Sequence, residues 1–330
     1  MKPVALTLGD PSGIGGEIAI AAWEALKGRV PFFLIGSVDH MRVIADRMGS
    51  RVQPIEELGQ IGEGDPTGLP VLHHHLPREA VPGSPDPANA PGVVEIIERA
   101  VTLTNSGEAC AVCTNPISKH VLKSDAGFGF PGHTEFLGHL CGVETPVMML
   151  ASTLLRVVPV TIHEALVDVP KVLTPELLEN TIWTTHAGLI SDFGIAKPRI
   201  AVAGLNPHAG ENGTMGREEI DLIAPVLDRL RGEGMDLKGP LSADTLFHTA
   251  ARATYDTAVC MYHDQALIPI KALDFDGGVN VTLGLGMVRT SPDHGTAYAL
   301  AGKNQANPSS LIAALRLAFE LGQRRAGAAA

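Results

Sequence analysis

Short continuous apolar runs alternate along this chain with longer stretches whose apolar positions recur at helical spacing. PVALTL (residues 3–8) reads as a buried strand and is followed by a glycine-rich turn and the helical stretch IGGEIAIAAWEAL. VPFFLIG reads as a strand and DHMRVIADRMG as a helix; GVVEIIERAVTLT reads as a helix leading into the strand CAVCTN. In TPELLENTIWTTHAGLISDFG, Thr174 stands as a cap, Pro175 at the first helical position and Gly194 as a stop. The strand RIAVAG, the helix REEIDLIAPVLDRLRGEG, the strand TAVCMY and the amphipathic helix SSLIAALRLAFELGQRR complete the series, and a frayed AGAAA tail follows. Strands alternating with helices predict an α/β protein with a mostly parallel sheet and helices on both faces. Residues 62–89, rich in Pro, Gly and His, read as the least regular part.

With 330 residues the chain can bury a large core, and only 4% of it is aromatic, so Ala, Val, Leu and Ile must fill that core. The net charge of −11 argues against nucleic acid or an anionic membrane surface as the main partner. The apolar run over residues 146–162 is broken by Arg156 and Pro159 and predicts no membrane span. The opening MKPVALTLGDPSG is too short an apolar run for a signal peptide. Four cysteines suggest no disulfide framework, and the expected location is the reducing cytoplasm.

Three histidines each follow a strand-like run: His163 after LRVVPVTI, His208 after RIAVAGL, and His263 after TAVCMY. Strand ends converge at one sheet edge, where α/β proteins place ligands. Three imidazoles there would form an incomplete metal shell open to substrate. Coincidence is the alternative, because the chain has thirteen histidines and no H-E-x-x-H signature.

GDPSGIGGE between a strand and a helix is not the G-x-G-x-x-G dinucleotide fingerprint; it reads either as an anion site or as a tight turn. Cys110 and Cys113 form a C-x-x-C inside an apparent strand, a poor place for an activated thiol. His73, His74 and His75 suggest a solvated edge, or a second metal site. In residues 263–308, Lys271, Asn280 and Arg289 lie among apolar residues, a costly placement unless they face a ligand or partner. Together they suit a phosphate or carboxylate, with a surface salt-bridge face as the alternative.

GDPSGIGGE, PGHTEF, GLNPHAGE, ADT, MYHDQALIPIK and NVTLGL…VRTSPDHGTA together resemble the 4-hydroxythreonine-4-phosphate dehydrogenases of pyridoxal phosphate biosynthesis, from residue 4 to about residue 320. HGTAYALAGKNQANP is also similar to the adenosine-binding loop of isocitrate and isopropylmalate dehydrogenases. The resemblance implies a two-lobed fold of that dehydrogenase type, not a GxGxxG Rossmann domain. Residues 1–125 with 290–330 would form a cofactor-binding lobe, and residues 126–289 a metal, substrate and dimerisation lobe.

By the same resemblance, His163, His208 and His263 match metal ligands in a site shared between two subunits of a homodimer. His133, Thr134, Lys271, Asn280 and Arg289 match substrate-binding residues. His294, Gly295 and Asn307 would lie along the cofactor, NAD with NADP as the alternative. Asp244 and Asp264 would orient metal ligands or accept the proton. One divalent ion per site is implied, with zinc, cobalt and magnesium the candidates; ligand softness favours zinc, cobalt or nickel over magnesium. The expected reaction oxidises 4-phosphooxy-L-threonine to a 3-keto acid that decarboxylates to 3-amino-2-oxopropyl phosphate.

Gly16, Glu164-Ala165, Thr214 and Gly286-Met287 depart from the family's usual residues, and the last three, near the expected pocket, put the substrate in question. 4-Phospho-threonate or 4-phospho-erythronate and a cyclic dihydrodiol are the related alternatives; His133, Lys271 and Arg289 favour a phosphorylated one. A metal-dependent hydrolase or a non-catalytic phosphate-ligand binder would not need both the histidines and the HGTA…ANP stretch.

Overall fold

The computed structural model describes residues 1–61, 68–125, 129–130 and 132–328. Part of the irregular stretch (62–67), the expected lobe boundary at 126, Pro131 of PGHTEF and the last two tail residues lie outside the described residues. The strands are β1 (Val4–Thr7), β2 (Phe32–Gly36), β3 (Val52–Ile55), β4 (Leu69–His73), β5 (Ala111–Thr114), β6 (Val147–Ala151), β7 (Arg156–Thr161), β8 (Arg199–Ala203), β9 (Asp236–Leu241), β10 (Thr257–Tyr262), β11 (Val279–Leu283) and β12 (Arg289–Pro292). The chain divides into two compact units, Met1–Glu144 with Leu285–Ala330, and Thr145–Gly284.

In the first unit the strand order is β3-β4-β2-β1-β5-β12, and every pairing is parallel. Helices Gly15–Leu26, Val38–Arg47, Ala90–Asn105 and Ser309–Ala328 accompany this sheet. The core is aliphatic, as the composition demanded: Leu6, Leu34, Ile35, Leu69 and Ile96 are fully buried. Trp23 and Phe32 add one edge-to-face aromatic pair at 5.5 Å. Ser37 starts the second helix, its Oγ accepting from the His40 amide.

One expectation is corrected here. Residues read as irregular include β4, whose first four residues are buried and which lies between β2 and β3, not at an edge. LPVLH is a continuous apolar run on an internal parallel strand, so it lacks the alternation that marks a half-exposed one. His73 accepts from the Val38 amide through Nδ1, and His74 Nε2 meets Glu95 at 3.0 Å. These contacts give His73 and His74 structural roles.

In the second unit the order is β11-β6-β7-β10-β8-β9; β7, β10, β8 and β9 run parallel, and β6 is antiparallel to both β11 and β7. Thr174 caps helix Pro175–Ser191 by accepting from the Leu177 amide, as predicted, and Gly194 turns the chain at φ +69°. Residues 217–234 do not form one α-helix. A π-helical turn, Glu219–Ile223, precedes helix Ala224–Gly232, because Pro225 has no N–H to offer the Asp221 carbonyl.

All four cysteines are free thiols. Burial pushes Cys110 up to about 11 and Cys113 to about 12, the reverse of thiol activation. Among the described residues no helix is long and apolar enough to cross a membrane.

Candidate active site

The parallel register sets Tyr262 of β10 beside Thr161 of β7, and Val259 beside Val202 of β8, so three neighbouring strands end toward one edge. Thr161 Oγ1 donates to the Met261 carbonyl at 2.8 Å. Gln265, buried one turn beyond β10, donates to the Gly204 carbonyl and accepts from the Met261 amide, both at 2.7 Å. These bonds tie together the ends of β7, β10 and β8, from which the three histidines emerge.

His163 sits two residues past β7 at φ +58°, a left-handed backbone that costs about 1–3 kcal/mol for a non-glycine residue. His263 opens the helix His263–Leu273. Their ring centres stand 5.9 Å apart. Two imidazoles on one tetrahedral ion, with metal–nitrogen bonds of about 2.0–2.1 Å, would place ring centres roughly 5 Å apart. The pair therefore fits one ion with a small side-chain adjustment. Asp264 Oδ1 meets His263 Nδ1 at 2.7 Å, which places a proton on Nδ1 and leaves Nε2 for a ligand. Thr161, Glu164, Leu166, Val169 and Tyr262 complete the lining of a cavity of about 240 Å³.

His208 lies apart from this lining, on a turn in which His208, Ala209, Gly210, Glu211 and Asn212 all have positive φ. Buried Glu219 braces that turn. Its Oε1 accepts from the Asn206 amide at 2.7 Å and its Oε2 from Asn206 Nδ2 at 3.0 Å. A Cβ on Gly210, at φ +78°, would stand 2.5 Å from Glu219 Oε2, so a larger residue would have to displace that brace. His208 Nδ1 faces Glu211 at 3.4 Å. Among the described residues, no three His, Cys, Asp or Glu side chains gather closely enough within one chain to hold a metal ion. The structure thus joins two of the three expected ligands.

Asp244 accepts from Ser242 Oγ at 2.6 Å; that bond, with lesser help from His208, holds its carboxyl below the usual range. It stays ionised at neutral pH, so it lacks the raised pKa of a general base tuned to that pH.

In the first unit, Arg289 is 3% exposed at the start of β12 and donates through Nη2 to Thr114 Oγ1 at 2.6 Å. Burial lowers its guanidinium to about 10, opposed by the nearby Cys113 and Glu135. His133 begins helix His133–Cys141, followed by Thr134, and Gly132 provides no side-chain cap. Burial, then the charges of Arg289 and Lys119, hold His133 well below the usual histidine value. Its Nε2 is buried without a hydrogen-bond partner. A neutral imidazole, two cations and an uncapped helix start suit an anion such as phosphate. Lys119 was not among the residues expected from the sequence, where TNPISK gave no sign that its ammonium reaches Gly132.

In the second unit, Asn280 lies on β11 with its Oδ1 buried and unpartnered, and Lys271 Nζ stands 5.9 Å from the Phe275 ring centre. Back in the first unit, His294 and Gly295 follow β12. His294 Nε2 is buried without a partner, and open space surrounds the position of a Cβ on Gly295. Asn307 Oδ1 accepts from the Ser309 amide at the start of the last helix.

The amides of the first glycine-rich turn are already engaged within the protein. The Ser12 and Gly13 amides donate to Asp10, and the Ile14 amide donates to the Thr296 carbonyl. Gly9 has φ +73°, and a Cβ there would meet the Pro116 carbonyl at 2.5 Å. These amides favour the tight-turn reading over an anion site. Of the departures from the family pattern, Glu164 lines the cavity, and Gly286 adopts φ +75°, which no proline can reach.

The chain matches the family model of the pyridoxal phosphate biosynthetic protein PdxA over residues 29–318. It is 55% identical over 329 residues to a 4-hydroxythreonine-4-phosphate dehydrogenase of Paracoccus denitrificans, covering 98% of this chain and 99% of that one. A solved 4-hydroxythreonine-4-phosphate dehydrogenase from Klebsiella pneumoniae superposes with a TM-score of 0.91 at 35% identity, covering 98% of this chain and 100% of that one. A terephthalate 1,2-cis-dihydrodiol dehydrogenase from Burkholderia xenovorans superposes with a TM-score of 0.68 at 30% identity, over 97% and 98% of the two chains.

Proposed function

The chain belongs to the PdxA family of pyridoxal phosphate biosynthetic proteins, and on that premise we propose that it oxidises 4-phosphooxy-L-threonine with NAD and a divalent metal ion. The observation that carries the metal-dependent part is the His163–His263 pair with Asp264 behind it. The 3-hydroxyl carbon loses a hydride, and the hydroxyl loses its proton to a carboxylate, Asp264 or Asp244, and on to water. The resulting 3-keto acid then loses carbon dioxide to give 3-amino-2-oxopropyl phosphate.

His163 and His263 would hold the ion, with His208 of the homodimer as the further ligand. Bound there, the ion supplies Lewis acidity to the hydroxyl and later to the carbonyl oxygen. NAD bound in the first unit would take the hydride, with NADP the alternative. Asp264 fixes the His263 tautomer, and Asp244 contributes a fixed negative charge. Arg289, His133 and Thr134 bind the phosphate, with the neutral His133 donating or accepting through its unpartnered Nε2. Lys271 and Asn280 bind the amino-acid end. Anchoring a phosphate remote from the reacting carbon orients that carbon for hydride transfer. His294, Gly295 and Asn307 would hold the dinucleotide; the shielded His294 nitrogen and the open space at Gly295 suit a ligand there.

Zinc or cobalt suits imidazole donors better than magnesium does. Exposed Leu166, Val167, Val172, Trp183, Ile268 and Phe275 on the second unit support homodimerisation. Four free thiols support a cytoplasmic location.

The test supplies the metal-loaded protein and NAD with 4-phosphooxy-L-threonine, 4-phospho-threonate, 4-phospho-erythronate and the terephthalate dihydrodiol in turn. NADH absorbance and released carbon dioxide are followed. The amino acid is expected to give the highest kcat/KM, by at least about tenfold, with one carbon dioxide per NADH. Turnover of a phospho-sugar acid without turnover of the amino acid would replace the substrate and keep the chemistry.

A further inference from the structure

The acidic end of GDPSGIGGE is buried and has a distant partner. Glu17, in the first turn of helix Gly15–Leu26, is 3% exposed. Its Oε1 accepts from the Gly302 amide at 2.6 Å and its Oε2 from the Asn304 amide at 3.2 Å. Arg47 Nη2 pairs with Oε1 at 2.6 Å, while Arg47 Nε donates to Asn304 Oδ1 at 3.0 Å. The Asn304 side chain returns a bond to the Arg47 carbonyl. The same carboxylate and guanidinium thus grip both the backbone and the side chain of one short turn.

That turn has an unfavourable backbone without the grip. Gly302 has φ +83° and Asn304 φ +55°. The segment is fastened upstream as well: Tyr298 Oη donates to Asp10 Oδ2 at 2.6 Å, and the Thr296 carbonyl accepts from the Ile14 amide at 3.1 Å. Burial, then the bond to Asp10, push Tyr298 up to about 12, so its phenol remains a donor. Residues 296–304 are therefore held by both ends of the glycine-rich turn and its helix. His294 Nε2 and the space at Gly295 are left unengaged.

We propose that Glu17, paired with Arg47, is the positioning residue for the dinucleotide, acting only through the shape it imposes on residues 294–307. The inference rests on the reading of that segment as the cofactor loop. A carboxylate is specifically required. It offers two acceptor oxygens to two backbone amides and a negative charge to Arg47. A glutamine would turn an NH₂ toward one of those amides, donor against donor, and leave Arg47 without its counter-charge.

The test uses the full-length metal-loaded enzyme and its Glu17→Gln variant. NAD affinity is measured by calorimetry without substrate, amide exchange across 296–304 by mass spectrometry, and KM and kcat for both substrates by NADH absorbance. Glu17→Gln is expected to raise the Kd and KM for NAD about tenfold, with kcat and the KM for the phosphorylated substrate within about twofold. Amide exchange should quicken in 296–304 alone. Asn304→Ala covers the case in which Glu17→Gln fails to fold. It keeps the buried carboxylate but strains a φ +55° residue, and should weaken NAD binding about three- to tenfold.

Unchanged NAD affinity in the folded variants, or an equal loss in every parameter, would overturn the positioning role. A wild-type enzyme that binds no dinucleotide would instead overturn the cofactor reading on which the inference rests.

Discussion

Replacing His263 with alanine is expected to lower kcat/KM on the order of 10³-fold or more. A bound ion contributes several kcal/mol of charge stabilisation to such a reaction, and each 1.4 kcal/mol is about tenfold. The imidazole side chain is 37% exposed and at a helix start, so its removal leaves no core cavity and thermal stability should change little. Zinc affinity, measured by competition with a chromophoric chelator, should fall with activity. Asp264→Asn keeps the ring and weakens only its orientation, so a smaller loss of about 10–100-fold is expected. Equal metal affinity in His263→Ala and the wild type would show that this ring holds no ion.

The second large effect concerns Arg289. Arg289→Met removes a buried guanidinium and its bond to Thr114 while retaining most of the side-chain volume. The fold should tolerate it, because deleting a buried charge also removes its desolvation cost. Binding of the phosphate should not: truncating one member of a desolvated charge pair costs about 2–5 kcal/mol, so kcat/KM should fall roughly 30- to 5,000-fold. Arg289→Lys should recover little, since a single ammonium cannot reproduce the planar fork. The specific readout compares the phosphorylated substrate with unphosphorylated 4-hydroxythreonine. The wild type should strongly prefer the former, and Arg289→Met should lose most of that preference. An undiminished preference would remove Arg289 from the phosphate site.

The sequence made the strands ending at His163 and His263 legible because each is a compact apolar run bounded by polar residues. Thr174 and Pro175 likewise announced their helix by the chemistry of its unsatisfied amides. β4 escaped because an internal parallel strand has no polar face, and its flanking Pro and His residues resemble loop composition.

The polar supports of the candidate site were the least visible. Gln265 and Glu219 act through bonds to neighbouring strand and turn backbone, and Glu17 reaches residues 285 and 287 positions away. No local pattern encodes those partners. A carboxylate inside an otherwise apolar helix stretch, as at Glu17 in IGGEIAIAAW, was the available signal. Its cost in a buried position points to a partner without identifying it. The strand-end pattern pointed to His208 as well, but only the resemblance supplied a site shared between two subunits; among the described residues the single chain brings His163 and His263 together and leaves His208 apart.

The most direct measurement strips the purified protein with a chelator, verifies metal content by elemental analysis, and follows NADH formation from 4-phosphooxy-L-threonine as zinc is returned. The stripped protein should show no turnover, and recovery should saturate at one ion per site. Full NADH formation by protein shown to contain no metal would rule out a metal-dependent reaction.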